Sequence, residues 1–165
     1  MIKRSFLYSI VMAICLPVAA FAQTEIAFGD LKHDSSLPIE ISADQLSVDQ
    51  ASGQATFTGN VLIGQGEMRL SAGKVQVEYA TGADTKGEIS RLHASDGVAL
   101  VNGSEAAEAR EAVYTIDTGT VVMTGDVILT QGLNALSSDK LTVNLRTGTG
   151  QMDGRVKSII QTGEN

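Results

Sequence analysis

The sequence TGNVLIGQG at residues 58–66 returns as TGDVILTQG at residues 124–132, sixty-six positions later. Around these copies, residues 43–82 align without a gap on residues 109–148, and thirteen of the forty positions are identical. The apolar runs in both copies are short and are bounded by Gly, Asn and Asp, which is typical of strands joined by turns. The repeat therefore predicts a fold built by stacking one strand-and-turn unit.

Three turns recur within the unit, at Gly53 and Gly119, at the Gly-Asn or Gly-Asp pair, and at the Gln-Gly pair. The stretch between the copies is a degenerate version, since residues 96–100 (DGVAL) resemble residues 59–63 (GNVLI), and residues 153–156 (DGRV) do so again. We expect about four successive turns of one meander, with apolar faces that stack into a continuous trough. Such a stack leaves an exposed strand edge at each end.

Two segments outside the repeated runs also favour an all-β chain. Asn102-Gly103 follows the apolar run at residues 98–101 and predicts a two-residue hairpin loop. Residues 104–113 (SEAAEAREAV) are rich in helix formers, but the repeat aligns their second half with a strand. We therefore expect a strand there rather than a helix.

The N-terminus has the pattern of a cleaved secretory signal. Lys3 and Arg4 precede an apolar run at residues 6–20, and Ala20-Phe21-Ala22 is a small-x-small cleavage site. We expect cleavage between Ala22 and Gln23, which removes Cys15; Ile14 before that cysteine argues against a lipoprotein. The expected domains are a signal peptide (residues 1–22), a flexible leader (23–35), a β domain (36–161) and a polar tail (162–165).

Charge and cysteine content exclude several functions. Without the signal the chain has ten basic residues against 19 acidic ones, and so a net charge of −9, and it has no cysteine. A strongly acidic protein is not expected to bind nucleic acid or to dock electrostatically on anionic lipid. Disulfides and thiolate metal sites are excluded.

No residues suggest catalysis, and none suggest a metal or a cofactor. His33 and His93 are the two histidines, and neither belongs to a ligand pair. Nucleophile elbows and phosphate loops are absent. A carboxylate pair acting on a polysaccharide is the remaining enzymatic alternative. We expect a protein that is not an enzyme, with its acids mostly at turns and on outward strand positions.

The repeated TGNV…QG and TGDV…QG motifs resemble the OstA-like repeat of the LptA family of lipopolysaccharide-transport proteins. The opening PIEISAD at residues 38–44 and the closing GRVK at residues 154–157 are similar to that family's first and last strands, so the resemblance spans about residues 36–161. It implies an open, V-shaped antiparallel β-jellyroll in the periplasm, with an apolar groove for the acyl chains of lipid A. It also implies end-to-end strand addition with an LptC-like inner-membrane protein, an LptD-like outer-membrane protein and further copies of itself.

Strand alternation selects the side chains expected to face such a groove. The candidates are Leu46, Val48, Phe57, Val61, Ile63, Met68, Leu70, Val75, Val77, Val98, Leu100, Tyr114, Ile116, Met123, Val127, Leu129, Leu136, Leu141 and Val143. Ordinary core packing is an alternative for each of them, and a one-residue error in phase would turn a whole strand over.

Two alternatives to a soluble carrier stay open at this point. One is a membrane-anchored, LptC-like component of the same pathway that keeps its N-terminal segment. The other is a structural β-repeat protein without a ligand.

Overall fold

The computed structural model describes residues 25–27, 34, 36–49, 51–81 and 87–160, with the backbone alone for residues 25–27. The expected signal peptide with its cleavage site at Ala22 and Gln23, the histidine His33 and the polar tail lie outside the described residues. The described part of the chain forms strands and no helix, and every strand pair is antiparallel. This confirms the predicted all-β fold class.

The strands are β1 (Glu25–Ala27), β2 (Glu40–Ser42), β3 (Gln45–Asp49), β4 (Gln54–Gln65), β5 (Met68–Tyr79), β6 (Ile89–Ser95), β7 (Val98–Asn102), β8 (Glu105–Ala109), β9 (Glu111–Thr115), β10 (Thr120–Gln131), β11 (Asn134–Asn144), β12 (Thr149–Asp153) and β13 (Lys157–Ile159). Residues 104–113, the helical alternative, contribute β8 and the start of β9. The strand expected there is confirmed.

The strands form a meander that is folded along a single bend. β2 and β3, β6 and β7, β8 and β9, and β12 and β13 are consecutive halves of long bent strands, while β4, β5, β10 and β11 run through the bend. The front sheet has the order β2-β4-β5-β7-β8-β10-β11-β13. The back sheet has the order β3-β4-β5-β6-β9-β10-β11-β12-β1. In the 66-residue repeat, β4 therefore corresponds to β10 and β5 corresponds to β11.

The Gly-Asn and Gly-Asp pairs of the repeat form the bend. Gly59 and Asn60 have φ of 80° and 45°, and Gly125 and Asp126 have φ of 85° and 50°. The pairing register shifts by one residue at both places, which is a β-bulge. The prediction of a turn between two strands was wrong here, because the valine after each pair stays bonded to the same neighbouring strand.

Glycine also begins each hairpin loop at the free edge of the front sheet, which we call the front rim. Gly66, Gly103 and Gly132 have φ of 55–58°, and each is followed by one further loop residue. Glycine at the first central position is the requirement of a type II′ turn. The hairpin predicted at Asn102-Gly103 is confirmed, but its loop is Gly103-Ser104, and Asn102 is the last residue of β7.

The core lies between the two sheets. Along β4 the inward Val61 and Ile63 are buried while Leu62 between them is exposed, as a period of two requires. Side chains from both sheets form this core, in which Leu100 and Leu141 are completely shielded from solvent. Each such leucine stabilises the fold by about 1.5–3 kcal/mol relative to an exposed one.

Part of the expected flexible leader is a strand. Glu25–Ala27 pairs with β12 and becomes the last strand of the back sheet. An edge strand presents a row of unpaired backbone N–H and C=O groups, and a three-residue extended segment satisfies some of them without needing an apolar pattern. Alternation therefore gave no signal for β1.

Candidate functional site

The structure places the predicted groove residues on the faces of the two sheets that meet. Fourteen of the nineteen are buried, namely Val61, Ile63, Met68, Leu70, Val75, Val77, Val98, Leu100, Tyr114, Met123, Val127, Leu129, Leu141 and Val143. Phe57, Ile116 and Leu136 are half-buried against this core. Contact of any of them with a lipid stays a prediction.

Leu46 and Val48 are the exposed members of that set, at 58% and 61%. Leu46 lies opposite Phe57 and Val48 opposite Ala55, so both share the inward face of the back sheet. They are exposed because β3 is the first strand of that sheet and the structure gives it one partner, β4. The apolar interior thus opens to solvent at the β3 end.

Alternation missed several inward side chains. Nine further buried apolar residues complete the interior, namely Ala55, Ala72, Leu92, Ala94, Ala107, Ala112, Val121, Leu145 and Met152. Five of them are alanines, which carry little hydrophobic signal of their own. Leu92 lies between Arg91 and His93, and Leu145 follows the last residue of β11.

The side of the stack opposite the bend, which we call the mouth, carries buried polar side chains. Gln65, Asn102 and Glu105 lie on the inward face of the front rim and are at most 7% exposed. Gln131, the repeat partner of Gln65, is half-buried there and donates from Nε2 to Oε1 of Glu105 at 2.8 Å. Glu105 departs from the expectation that acids lie at turns and outward positions. The sequence signal for these buried polar residues was the Gln-Gly pair, which occupies the same position in both copies of the repeat.

A hydrogen bond crosses the mouth from the back sheet to the front sheet. The Tyr114 hydroxyl donates to Oε1 of Gln65 at 3.1 Å, and both residues are 1% exposed. Nε2 of Gln65 donates to the Leu37 carbonyl oxygen at 2.8 Å. Burial raises the pKa of the Tyr114 hydroxyl, and the charge of Arg146 opposes this in part. The phenol is therefore a neutral donor at physiological pH.

Two ion pairs lie on the outside of the bend. Arg110 pairs with Asp126, and Nη2 of Arg155 lies 2.6 Å from Oδ1 of Asp139. The hydrogen bond from Arg155 lowers the pKa of the Asp139 carboxyl. All four side chains are about half-exposed or more. Because these ion pairs lie along the bend, we assign them a structural role there.

The two ends of the stack offer strand edges. At one end, β2 and β3 each pair with β4 and with no other strand of the described residues. A surface groove of about 540 Å³ beside β2 is lined by residues that include Pro38, Ile41 and Leu62. At the other end, β13 pairs with β11, and Ile159 and Ile160 are exposed. Backbone groups at these edges are available for a further strand.

The other features considered in the sequence are the histidines, a metal site and a membrane span. His93 is half-exposed on β6, and its Nε2 lies 3.5 Å from Oε2 of Glu111. Among the described residues no three His, Cys, Asp or Glu side chains come close enough to hold a metal ion. No helix in the described part of the chain is long and apolar enough to span a membrane.

Comparison with known proteins gives matches over most of the chain. The family model described as LptA/(LptD N-terminal domain) LPS transport protein matches residues 40–149. An uncharacterized protein of Rhizobium meliloti (strain 1021) is 32% identical over 148 residues, which cover 84% of this chain and 80% of that protein. The lipopolysaccharide export system protein LptA of Escherichia coli (strain K12) is 32% identical over 116 residues, covering 66% of this chain and 60% of LptA.

A solved structure has the same architecture. LptH of Pseudomonas aeruginosa, described as the LptA homologous periplasmic component of the conserved lipopolysaccharide transport device, matches with a TM-score of 0.68 at 16% identity. The match covers 78% of this chain and 98% of that one. At this identity the likeness concerns the fold, and it confirms the expected antiparallel β-jellyroll.

Proposed function

Because the chain belongs to the family of LptA and the LptD N-terminal domain, which are lipopolysaccharide transport proteins, we propose that it is a periplasmic carrier of lipopolysaccharide. It shields the acyl chains of lipid A between its two sheets and bridges inner- and outer-membrane transport complexes. The observation that carries this proposal is the continuous apolar interior, which is buried along its length and opens at Leu46 and Val48.

Apolar burial is sufficient to hold such a cargo. Each methylene of an acyl chain gains about 0.8 kcal/mol when it leaves water. The interior side chains are packed against one another, so acyl chains enter as the two sheets move apart and replace contacts between the sheets. The sugars stay in water outside the mouth.

The net charge of −9 for residues 23–165 supports recognition through the acyl chains rather than through phosphates. The cargo is anionic, and a collar of free cations would be the alternative way to hold it. Arg110 and Arg155 are instead paired with Asp126 and Asp139 at the bend. At long range the net negative charge of the protein therefore repels the anionic headgroup.

Bridging requires joinable ends, and the strand edges supply them. An incoming strand at β2 and β3 or at β13 would continue a sheet by main-chain hydrogen bonds. The partners in this proposal are an LptC-like protein, an LptD-like protein and a second copy of this chain. Joined in this way, the apolar interiors of successive units form one path for lipid.

Site-specific photocrosslinking in cells tests the lipid site. A photoreactive residue at Leu46 or Phe57, on the inward face, is expected to label lipopolysaccharide. Ser47 and Leu62 are matched controls, since each is exposed and lies on the outward face of β3 or β4. Equal labelling at the inward and outward positions would exclude the interior as the lipid site and favour the ligand-free structural repeat.

The membrane-anchored alternative is distinguished by the mature N-terminus. Mass spectrometry of the protein from a periplasmic extract is expected to show a chain that begins at Gln23. An intact N-terminus in the membrane fraction would favour the LptC-like role.

A further inference from the structure

The two sheets are held together in different ways along their two sides. At the bend, strands β4, β5, β10 and β11 pass from one sheet to the other, so the connection there is covalent. At the mouth the strands end in hairpins, and the sheets meet through side chains. Separation of the sheets for lipid loading must therefore begin at the mouth.

Tyr114 and Gln65 lie at the place where this separation would begin. Gln65 is the last residue of β4 at the front rim, and Tyr114 is the next-to-last residue of β9 at the rim of the back sheet. Tyr114 is four residues beyond the bend at Arg110, which is about 13 Å of extended strand. The apolar interior lies between the bend and this pair.

The pair borders the apolar interior. The inward neighbours of Tyr114 across its own sheet are Leu92 and Val121, and the neighbour of Gln65 across the front sheet is Met68. All three are buried. Opening the mouth breaks the hydrogen bond from Tyr114 to Gln65, and a buried phenol or amide that loses its partner costs free energy unless a new partner is supplied.

We propose that the hydrogen bond from Tyr114 to Gln65 is a latch that keeps the mouth closed over the apolar interior until an acylated amphiphile breaks it. Once the mouth is open, the phenol and the amide face the level at which acyl chains join a headgroup. A carbonyl group of such a linkage then accepts from the Tyr114 hydroxyl, which is the donor that the broken bond releases. This inference rests on the proposed lipid-carrier function and names two residues that gate it.

The test compares variants of the mature protein that remove the latch with one that removes a matched hydroxyl. Tyr114→Phe deletes the phenolic oxygen and removes the latch bond alone. Gln65→Met deletes the amide at similar volume and also removes the donor to the Leu37 carbonyl oxygen. The double variant leaves no phenol without its acceptor. Tyr79→Phe is the control, because Tyr79 lies at the end of β5 and is exposed. The double variant keeps the test valid where a single change unfolds the protein.

Two measurements are made on each folded variant, the rate at which it takes up purified lipopolysaccharide and the hydrogen exchange of residues 61–65 and 111–115 without lipid. Loss of the latch hydrogen bond in Tyr114→Phe is expected to speed uptake about two- to tenfold and to raise exchange at both segments, and the two variants that carry Gln65→Met should change in the same direction. Tyr79→Phe is expected to behave as wild type. Wild-type uptake and exchange in the three latch variants would overturn the latch.

Failure of the proposed function gives a different result. In that case the wild-type protein takes up no lipopolysaccharide and neither do the variants. Hydrogen exchange still reports whether the Tyr114–Gln65 contact holds the sheets together. Faster exchange in the latch variants then supports the closure, and unchanged exchange overturns it.

Discussion

A Cβ atom added to Gly59 would lie 2.5 Å from Oδ2 of Asp44, the residue that precedes β3. The two residues meet on the outside of the bend, where the Asp44 N–H also donates to the Gly59 carbonyl oxygen at 2.9 Å. The same contact recurs between Gly154 and Asp139, where the distance to the carboxylate oxygen is again 2.5 Å. Glycine at these positions therefore combines a left-handed backbone with close approach of the neighbouring strand.

Three alanine substitutions separate these two requirements. Gly53 has φ of 68° and nothing within 4 Å of its added Cβ, whereas Gly73 has no left-handed φ but would place its Cβ 2.7 Å from Cβ of Asp96. We expect Gly53→Ala to cost about 1–2 kcal/mol from backbone strain and Gly73→Ala about 1–3 kcal/mol from overpacking. Gly59→Ala should cost more than either, as measured by urea unfolding. Equal losses at Gly53 and Gly59 would show that the Asp44 contact is readily relaxed.

The bend shows what could be predicted from the sequence. The 66-residue repeat and alternation predicted the strands and most of the inward residues, because a period of two is a local property. Whether Gly59-Asn60 ends a strand or bends it depends on the partner strand, so the turn predicted there was wrong. The exposure of Leu46 likewise depends on β3 being the first strand of its sheet, and the Tyr114–Gln65 contact joins residues 49 positions apart. The pairing of β1 with β12 is equally non-local.

The ion pair between Arg155 and Asp139 predicts a pH dependence of stability. The hydrogen bond from Arg155 lowers the pKa of Asp139 below its usual 3.8 in the folded protein. The contribution is therefore complete above the pKa of the unfolded chain and is lost as the pH falls through the lower folded value. A double-mutant cycle with Arg155→Gln and Asp139→Asn should give a coupling energy at pH 7 that disappears at strongly acidic pH. Both side chains are exposed, so the coupling should also fall with added salt. A coupling that stays constant from neutral to acidic pH would contradict this assignment.

The edge of β13 predicts a site for end-to-end association. Ile159 is 70% exposed on this strand, which pairs with β11 at the C-terminal end of the front sheet. A lysine on an edge strand opposes the addition of another strand, so Ile159→Lys should weaken concentration-dependent oligomers in light scattering. Val101→Lys is the matched control, since Val101 is 42% exposed on the outward face of β7, in the middle of the front sheet. Equal weakening by the two substitutions would indicate a general effect of charge rather than docking at β13.

The exposed inward face of β3 predicts that lipid binding and stability respond separately to substitution. Leu46 and Val48 are more than half-exposed, so Leu46→Asp and Val48→Asp should each change the free energy of unfolding by about 0.5 kcal/mol or less. Both place a charge on the face that continues into the apolar interior through Phe57 and Ala55.

A buried carboxylate against an acyl chain is costly, and crosslinking of lipopolysaccharide from position 57 should therefore fall severalfold in both variants. Val101→Asp introduces the same charge on the outward face of β7, in the middle of the front sheet, and should leave that crosslink unchanged. Thermal unfolding of each variant separates lost binding from lost folding. Undiminished labelling at position 57 in stable Leu46→Asp and Val48→Asp proteins would mean that the acyl chains bound near Phe57 do not contact the inward face of β3.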